Sequence, residues 1–178
     1  MAPDSHGAVL VARGFTLVET MIVVAILAIF AAMAGPSFID MVKTAKLRSA
    51  ASDFYSSLLS ARSEAIKRRT NMSVTPINAD WAKGWSVTFV DPVVPTQTDT
   101  LQSHEALATD VAVQVNATGD AANPITYGTN GRVSSAAPTL IFHVPGAAAA
   151  QARCVSLDPA GMPRIHIDTN GAATDGCN

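Results

Sequence analysis

One carboxylate stands at the start of a long apolar segment. Residues 13–20 read RGFTLVET, and from Met21 to Ile39 no residue is charged and only Ser37 is polar. A charge inside a bilayer-spanning helix costs roughly 2.5–3.5 kcal/mol on insertion scales, so an acid in such a segment normally has a function. Glu19 is therefore the first candidate for a functional residue.

Cysteine and histidine are the other side chains that could do chemistry. Cys154 and Cys177 are an even pair close to the C-terminus, which in an exported domain indicates one disulfide; two free thiols are the alternative. The histidines have no metal-ligand spacing; they are His6, His104, His143 and His166. No H-x-x-x-H, C-x-x-C, G-x-S-x-G or phosphate-binding glycine motif is present. The sequence therefore predicts no enzyme, no metal site and no cofactor.

The element that positions Glu19 is the apolar run itself. Nineteen residues at about 1.5 Å per residue approach the ~30 Å hydrocarbon core of a bilayer, so residues 21–39 predict a membrane span. A buried core helix is one alternative, but the run has no polar face. A cleaved signal peptide is another, with the AMA sequence at 32–34 as its cleavage site. Glu19 disfavours that alternative, because a signal peptide has no use for an acid in its apolar region.

A second helical pattern follows the apolar run. Pro36 removes a backbone hydrogen bond and predicts a kink. Beyond it, apolar residues recur at spacings of four, three, four, three and four, which is typical of one stripe of an amphipathic helix. This stripe consists of Leu47, Ala51, Phe54, Leu58, Ala61 and Ala65. Residues 40–70 are therefore predicted as the amphipathic half of one long helix that ends near Thr70.

After residue 70 the pattern changes to short runs with β propensity, separated by Gly, Pro, Asn and Asp clusters. An antiparallel meander of at most seven strands is predicted, at Met72–Thr75, Trp85–Val90, Val111–Val115, Ile125–Tyr127, Thr139–Val144, Arg153–Leu157 and Arg164–Ile167. Segment 92–110 is polar and irregular, which predicts an exposed loop. The fold class is α+β, with the apolar stripe of the helix covering a small antiparallel sheet in residues 71–178.

Charge is distributed unevenly along the chain. Residues 40–70 carry seven basic and three acidic groups, whereas beyond residue 70 four basic groups face nine acidic ones, a formal charge of −5. An acidic domain disfavours a strong nucleic-acid surface. The basic residues after the apolar run outnumber Arg13 before it, so the positive-inside rule places the C-terminal domain in the cytoplasm. The predicted disulfide indicates the opposite orientation.

The stretch from Gly14 to Glu19, with a short leader before it and about twenty apolar residues after it, resembles the type III signal of type IV pilins and pseudopilins. Four later phrases resemble the GspH/FimT family of minor pilins and pseudopilins: ARSEAIKRR, GWSVTF, ITYGTNGRV and CVSLDPAGMPRI. The resemblance covers most of the chain after the leader. It implies a pilin-like fold, in which residues 15–39 are the transmembrane half of the helix and residues 71–178 form a periplasmic domain.

The resemblance also implies a fate for the N-terminus. A prepilin peptidase removes the leader, residues 1–14, by cutting between Gly14 and Phe15, and Phe15 is then N-methylated. Glu19 next compensates the α-amino group of a neighbouring subunit during filament assembly, since both charges then lie at low dielectric. Pro36 lies where pilins carry a proline in a segment that can unwind inside the filament.

The implied function is that of a minor pilin or pseudopilin that primes or caps a type IV pilus. It would be a single-pass protein of the bacterial inner membrane with its C-terminal domain in the periplasm, and would then move to the tip of the filament. Its partners would be other pilin or pseudopilin subunits, the prepilin peptidase and the inner membrane.

Two alternative functions stay open. The first is a pseudopilin of a type II secretion system, since the same signal serves both machines. The second is a DNA-binding minor pilin, because some FimT-like proteins bind DNA through a Gly-Arg-x-Arg phrase. The corresponding residues here read GMPR from Gly161 to Arg164, so only Arg164 remains as a DNA contact. One arginine near several acids disfavours DNA as a partner.

Overall fold

The structure is a computed structural model that describes residues 14–91, 94, 96–116, 123–134, 138–146, 152–168 and 177, without the side chains of residues 32–37. Residues 1–13 of the predicted leader lie outside the described residues. The chain divides into two compact units, Met1–Ile39 and Asp40–Asn178.

Helix α1 runs from Leu17 to Arg68. Its assigned range includes Pro36, whose side chain lies outside the described residues, so the kink there stays a prediction. The helix ends slightly before the predicted Thr70 because Arg69 has a φ of 53°. Such a left-handed residue commonly terminates a helix. Lys67 and Arg68 in the last turn suit the negative end of the helix dipole.

The part of α1 in the first unit exposes its apolar side chains. The large ones from Leu17 to Phe30 are 47–75% exposed and lie on every side of the helix. Among the described residues, no helix is both long and apolar enough to cross a membrane. The transmembrane assignment of residues 15–39 stays a prediction.

The second unit contains eight described strands in two antiparallel four-stranded sheets. The first sheet has the order β3-β2-β1-β5 and consists of β1 (Met72–Ile77), β2 (Asp80–Val90), β3 (Thr98–His104) and β5 (Ile125–Tyr127). The second has the order β4-β6-β7-β8 and consists of β4 (Ala112–Asn116), β6 (Thr139–His143), β7 (Arg153–Leu157) and β8 (Pro163–Ile167). In the second sheet Ile141, Cys154 and His166 are in register across three strands.

Two expectations about the strands are wrong. Strand β3 lies inside segment 92–110, which the sequence predicted as a loop; it is an edge strand with a polar sequence, TDTLQSH, in which Leu101 is the single apolar residue. The single meander of at most seven strands is also wrong, because the chain alternates between the sheets at β4, β5 and β6. Residue patterns locate strands that have a buried face, but they do not say which strands become neighbours.

The apolar stripe of α1 fills the core of the second unit, as predicted. Each of its six residues is at most 1% exposed. The ring of Phe54 packs edge-on against Trp81 and Trp85 of β2, with centroids 5.3 and 5.1 Å away, and lies 5.8 Å from the ring of Phe142 on β6. One helical side chain therefore contacts both sheets, and such aromatic pairs add about 0.5–1.5 kcal/mol each to the burial of their area.

Candidate functional site

The residues around Gly14 are open to solvent. A Cβ atom added at Gly14 would meet nothing within 4 Å, and Phe15 is 80% exposed. The peptide bond between them precedes helix α1, so it is not tied into the hydrogen bonds of a helix. This geometry lets an enzyme approach the backbone closely.

Thr16 fixes the start of the helix. Its hydroxyl oxygen accepts a hydrogen bond from the backbone N–H of Glu19 at 3.2 Å, which satisfies one of the free donors of the first turn. The order T-x-x-E, from Thr16 to Glu19, is the sequence signature of a capping box. The cap places Glu19 in the first turn of α1, where the helix dipole favours a negative charge.

Among the described residues, no Lys, Arg or His forms an ion pair with the Glu19 carboxylate. It stands among exposed apolar side chains, the nearest along the chain being Leu17, Val18 and Met21. A carboxylate among apolar side chains that leave the water is costly unless it is paired.

Cys154 and Cys177 form a disulfide, which confirms that prediction and excludes the alternative of two free thiols. Cys154 is fully buried, and the bond packs against Ile141 and Ala152 on the second sheet. In the chain-entropy model a loop of this length contributes roughly 3 kcal/mol to stability. The bond also favours an oxidising compartment.

One histidine lies beside this disulfide. A ring nitrogen of His166 and the sulfurs of Cys154 and Cys177 all lie within 4.8 Å of one another. Cysteine and histidine are zinc ligands, but both sulfurs are joined to each other here, so the group does not form a metal site in this state. The sequence placed His166 on a strand face and could not place it next to a disulfide.

Arg164 has a partner within its own turn. Its Nη2 lies 3.6 Å from Oδ2 of Asp158, whose Oδ1 accepts hydrogen bonds from the backbone N–H groups of Met162 and Ala160, each at 2.9 Å. These hydrogen bonds, that of Met162 above all, and the nearby Arg164 charge lower the pKa of Asp158. Arg164 therefore stabilises a turn, although its side chain is still 72% exposed.

The turn of Arg164 packs against a second loop. A Cβ atom added at Gly161 would lie 2.5 Å from the carbonyl oxygen of Gly131 and 3.3 Å from Cα of Arg132. The same Gly131 carbonyl accepts a hydrogen bond from Nε of Arg62 at 3.0 Å. The fold thus brings Arg62 and Arg132 toward the turn of Arg164, which the sequence could not predict because these residues are far apart in the chain.

His104 has a structural role that the sequence analysis missed. Its ring stacks on the buried Trp85, with centroids 4.1 Å apart and an angle of 9° between the planes. Its Nε2 lies 3.5 Å from Oδ2 of Asp53 on α1. The Nε1–H of Trp85 in turn donates to the hydroxyl of the fully buried Ser57 at 3.0 Å. These contacts attach the edge of the first sheet to the helix.

Two family profiles match the sequence. The profile described as type II transport protein GspH covers residues 50–161, and the prokaryotic N-terminal methylation motif covers residues 11–35. Among curated proteins, none matches the sequence.

Solved pilin-like structures are similar to the chain. The type IV minor pilin FimU of Pseudomonas aeruginosa (strain PAO1) is 24% identical with a TM-score of 0.58, over 78% of this chain and 99% of that one. A second crystal form of FimU is 25% identical with a TM-score of 0.55, over 74% and 99%. The minor pseudopilin EpsH of the type 2 secretion system of Vibrio cholerae is 16% identical with a TM-score of 0.55, over 70% and 98%. The predicted pilin-like α+β fold is confirmed.

Proposed function

The chain belongs to the GspH family of minor pilins and pseudopilins, and from that premise we propose that it is a minor pilin that primes or caps a type IV pilus. Its sequence identity to FimU, 24–25%, exceeds its identity to EpsH, 16%. The observation that carries the proposal is the capped helix start, where Glu19 in the first turn of an exposed apolar helix has no ion-pair partner among the described residues.

Processing would create the missing partner of Glu19. A prepilin peptidase would cut the exposed bond after Gly14, and the freed amino group of Phe15 would be methylated. Residues 15–39 would anchor the subunit in the inner membrane, with the disulfide-bonded domain in the periplasm. The methylation-motif match over residues 11–35 supports this order of events.

Assembly would then follow from electrostatics. An amine and a carboxylate attract each other strongly at low dielectric, and each is costly there alone. The Glu19 of one subunit would pair with the N-terminal amine of a neighbouring pilin subunit, and this pair would fix their axial register. The exposed apolar side chains of α1 would pack against other helices or lipid.

Replacing Glu19 tests the proposal. Glu19→Ala should leave cleavage and membrane insertion intact, because an apolar residue only favours insertion. Its incorporation into filament complexes should fall at least tenfold, since removing one partner of a buried pair costs about 3–5 kcal/mol. Glu105→Ala, at an exposed acid of the second unit, is the matched control and should assemble normally.

Mass spectrometry of the purified subunit completes this experiment. Wild type and both variants should begin with N-methylated Phe15. A mature terminus at Gly35 would contradict the proposal and identify an ordinary secreted protein. Normal filament incorporation of Glu19→Ala would contradict the pairing.

Two alternatives have their own tests. The fold similarity to EpsH keeps a type II secretion pseudopilin open, and the subunits that crosslink to the native protein would distinguish it from a pilus subunit. Arg132 lies on the loop that packs against the turn of Arg164, and Arg62 of α1 donates a hydrogen bond to the same loop, which keeps DNA binding open. A salt-sensitive gel shift by the detergent-solubilised chain that Arg164→Ala abolishes would favour it.

A further inference from the structure

The side chain of His166 lies next to the disulfide. Strands β7 and β8 pair Cys154 directly with His166, and a ring nitrogen of His166 lies within 4.8 Å of both sulfurs. His166 is exposed to solvent, whereas Cys154 is fully buried. The sheet alone brings these two residues together, before Cys177 is attached.

Cys154 is the cysteine whose thiol needs a base in order to become a nucleophile. A thiol must lose its proton to become a nucleophile, and apolar surroundings disfavour the charged thiolate. Ile141 and Ala152 provide such surroundings for Cys154. Cys177 is less buried, so it is the sulfur that an oxidant in solution reaches first.

We propose that His166 is an internal general base for closing the Cys154–Cys177 disulfide. In the first step the thiolate of Cys177 attacks a small disulfide oxidant, such as glutathione disulfide, and releases one glutathione thiolate. In the second step His166 takes the proton of the Cys154 thiol, and the Cys154 sulfur attacks the Cys177 sulfur of the mixed disulfide. The second glutathione leaves as a thiolate and is protonated. Two protein thiols are oxidised and one glutathione disulfide is reduced.

This role concerns the maturation of a single chain and is independent of the proposed filament function. General bases in proteins typically contribute 10²–10⁴-fold. A thiol ionises partly without a base, so a base that acts on a thiol should accelerate the reaction by a smaller factor. We expect ring closure in His166→Gln to be at least tenfold slower than in the wild type at pH 6.5.

The experiment uses the folded, detergent-solubilised full-length chain. A dithiol reduces the disulfide and is removed, circular dichroism verifies that the fold is kept, and glutathione disulfide starts the reaction. Acid quenching, alkylation and mass spectrometry then count free thiols, mixed disulfide and closed product over time. His166→Gln should accumulate the Cys177–glutathione mixed disulfide, because only the second step is slowed.

The pH dependence separates a base from a merely structural residue. The difference between the wild type and His166→Gln should disappear near pH 9, where an ordinary thiol with a pKa of about 8.5 ionises without help. His143→Gln, on the same sheet but outside the sulfur cluster, should close at the wild-type rate at every pH. Equal rates for His166→Gln and the wild type at pH 6.5 would overturn the proposal. A slowing that persists unchanged at pH 9 would overturn it as well.

Discussion

The two halves of α1 use the same apolar residue types in opposite surroundings. Phe30 in the first unit is 64% exposed, whereas Phe54 in the second is fully buried between two sheets. In the first half apolar side chains surround the helix; in the second they form one stripe with polar residues beside it. The second half therefore buries its apolar stripe within its own chain, whereas the apolar side chains of the first half are exposed.

This difference explains where the charged residues act. In the second unit most described charges have partners in the same chain, such as Lys46 with Asp110 and Arg68 with Glu64. In the first unit, Glu19 has none among the described residues. Among the described residues, the apolar surface of the first half is thus uncovered and its acid has no ion-pair partner.

Replacing one phenylalanine by alanine in each half of α1 gives the strongest test of the difference between the two halves. Phe54→Ala should lower the free energy of unfolding of the second unit by about 3–5 kcal/mol, because it leaves a cavity between the sheets and the helix. Phe30→Ala should change that free energy by no more than about 0.5 kcal/mol. Denaturant unfolding of the detergent-solubilised chain, followed by tryptophan fluorescence, measures both.

The two variants should reverse their order in a second assay. Phe30→Ala should weaken retention in the membrane or in filaments, since it removes apolar area that only an external partner covers. Phe54→Ala should not weaken retention at temperatures where the second unit is folded. If both variants destabilised the second unit equally, the two halves would not differ in the way proposed here.

The sequence predicted features that depend on neighbours along the chain. The stripe of α1 was correct because a period of 3.6 residues places Leu47, Phe54 and Leu58 on one face, whatever covers it. The strands with a buried face were located for the same reason. The disulfide followed from composition, since there are only two cysteines.

Features that depend on contacts distant in sequence were missed. Strand β3 lies at the edge of its sheet, where only β2 pairs with it. It has a single apolar residue, so its sequence shows no alternation of apolar and polar residues. Neither the stacking of His104 on Trp85 nor the position of His166 beside the disulfide leaves a local pattern. The Thr16 cap did leave one, the T-x-x-E order, and could have been predicted.

Two adjacent serines of α1 test whether the buried hydrogen bond from Trp85 stabilises the second unit. Ser57→Ala should cost about 1–3 kcal/mol, because the Nε1–H of Trp85 would stay buried without its acceptor. Ser56→Ala, one residue earlier on the exposed side of α1, should change stability by no more than about 0.5 kcal/mol. The same denaturation assay compares them. Equal effects would mean that the buried hydrogen bond contributes nothing beyond the change in helix propensity.

The smallest expected effect concerns the hydrogen bonds and the ion pair of Asp158 at the surface of the second unit. The pKa of Asp158 is lowered by hydrogen bonds from the Met162 and Ala160 N–H groups and by the Arg164 charge. A lowered pKa means that the carboxylate stabilises the fold above the ordinary pKa of about 3.9 and that this contribution is lost as the pH falls through the lower folded value.

Asp158→Asn keeps an oxygen that can accept the same hydrogen bonds and removes only the charge. Its melting temperature should therefore be slightly below that of the wild type at pH 6–7, by less than in Ser57→Ala, and the gap should narrow as the pH falls below the ordinary pKa of an aspartate. In the Arg164→Ala background the gap should shrink but persist, because the Met162 hydrogen bond is the largest cause of the shift. A gap that Arg164→Ala abolishes would instead make the ion pair the main stabiliser of this turn, and a gap that is constant with pH would show that the charge of Asp158 is irrelevant to it.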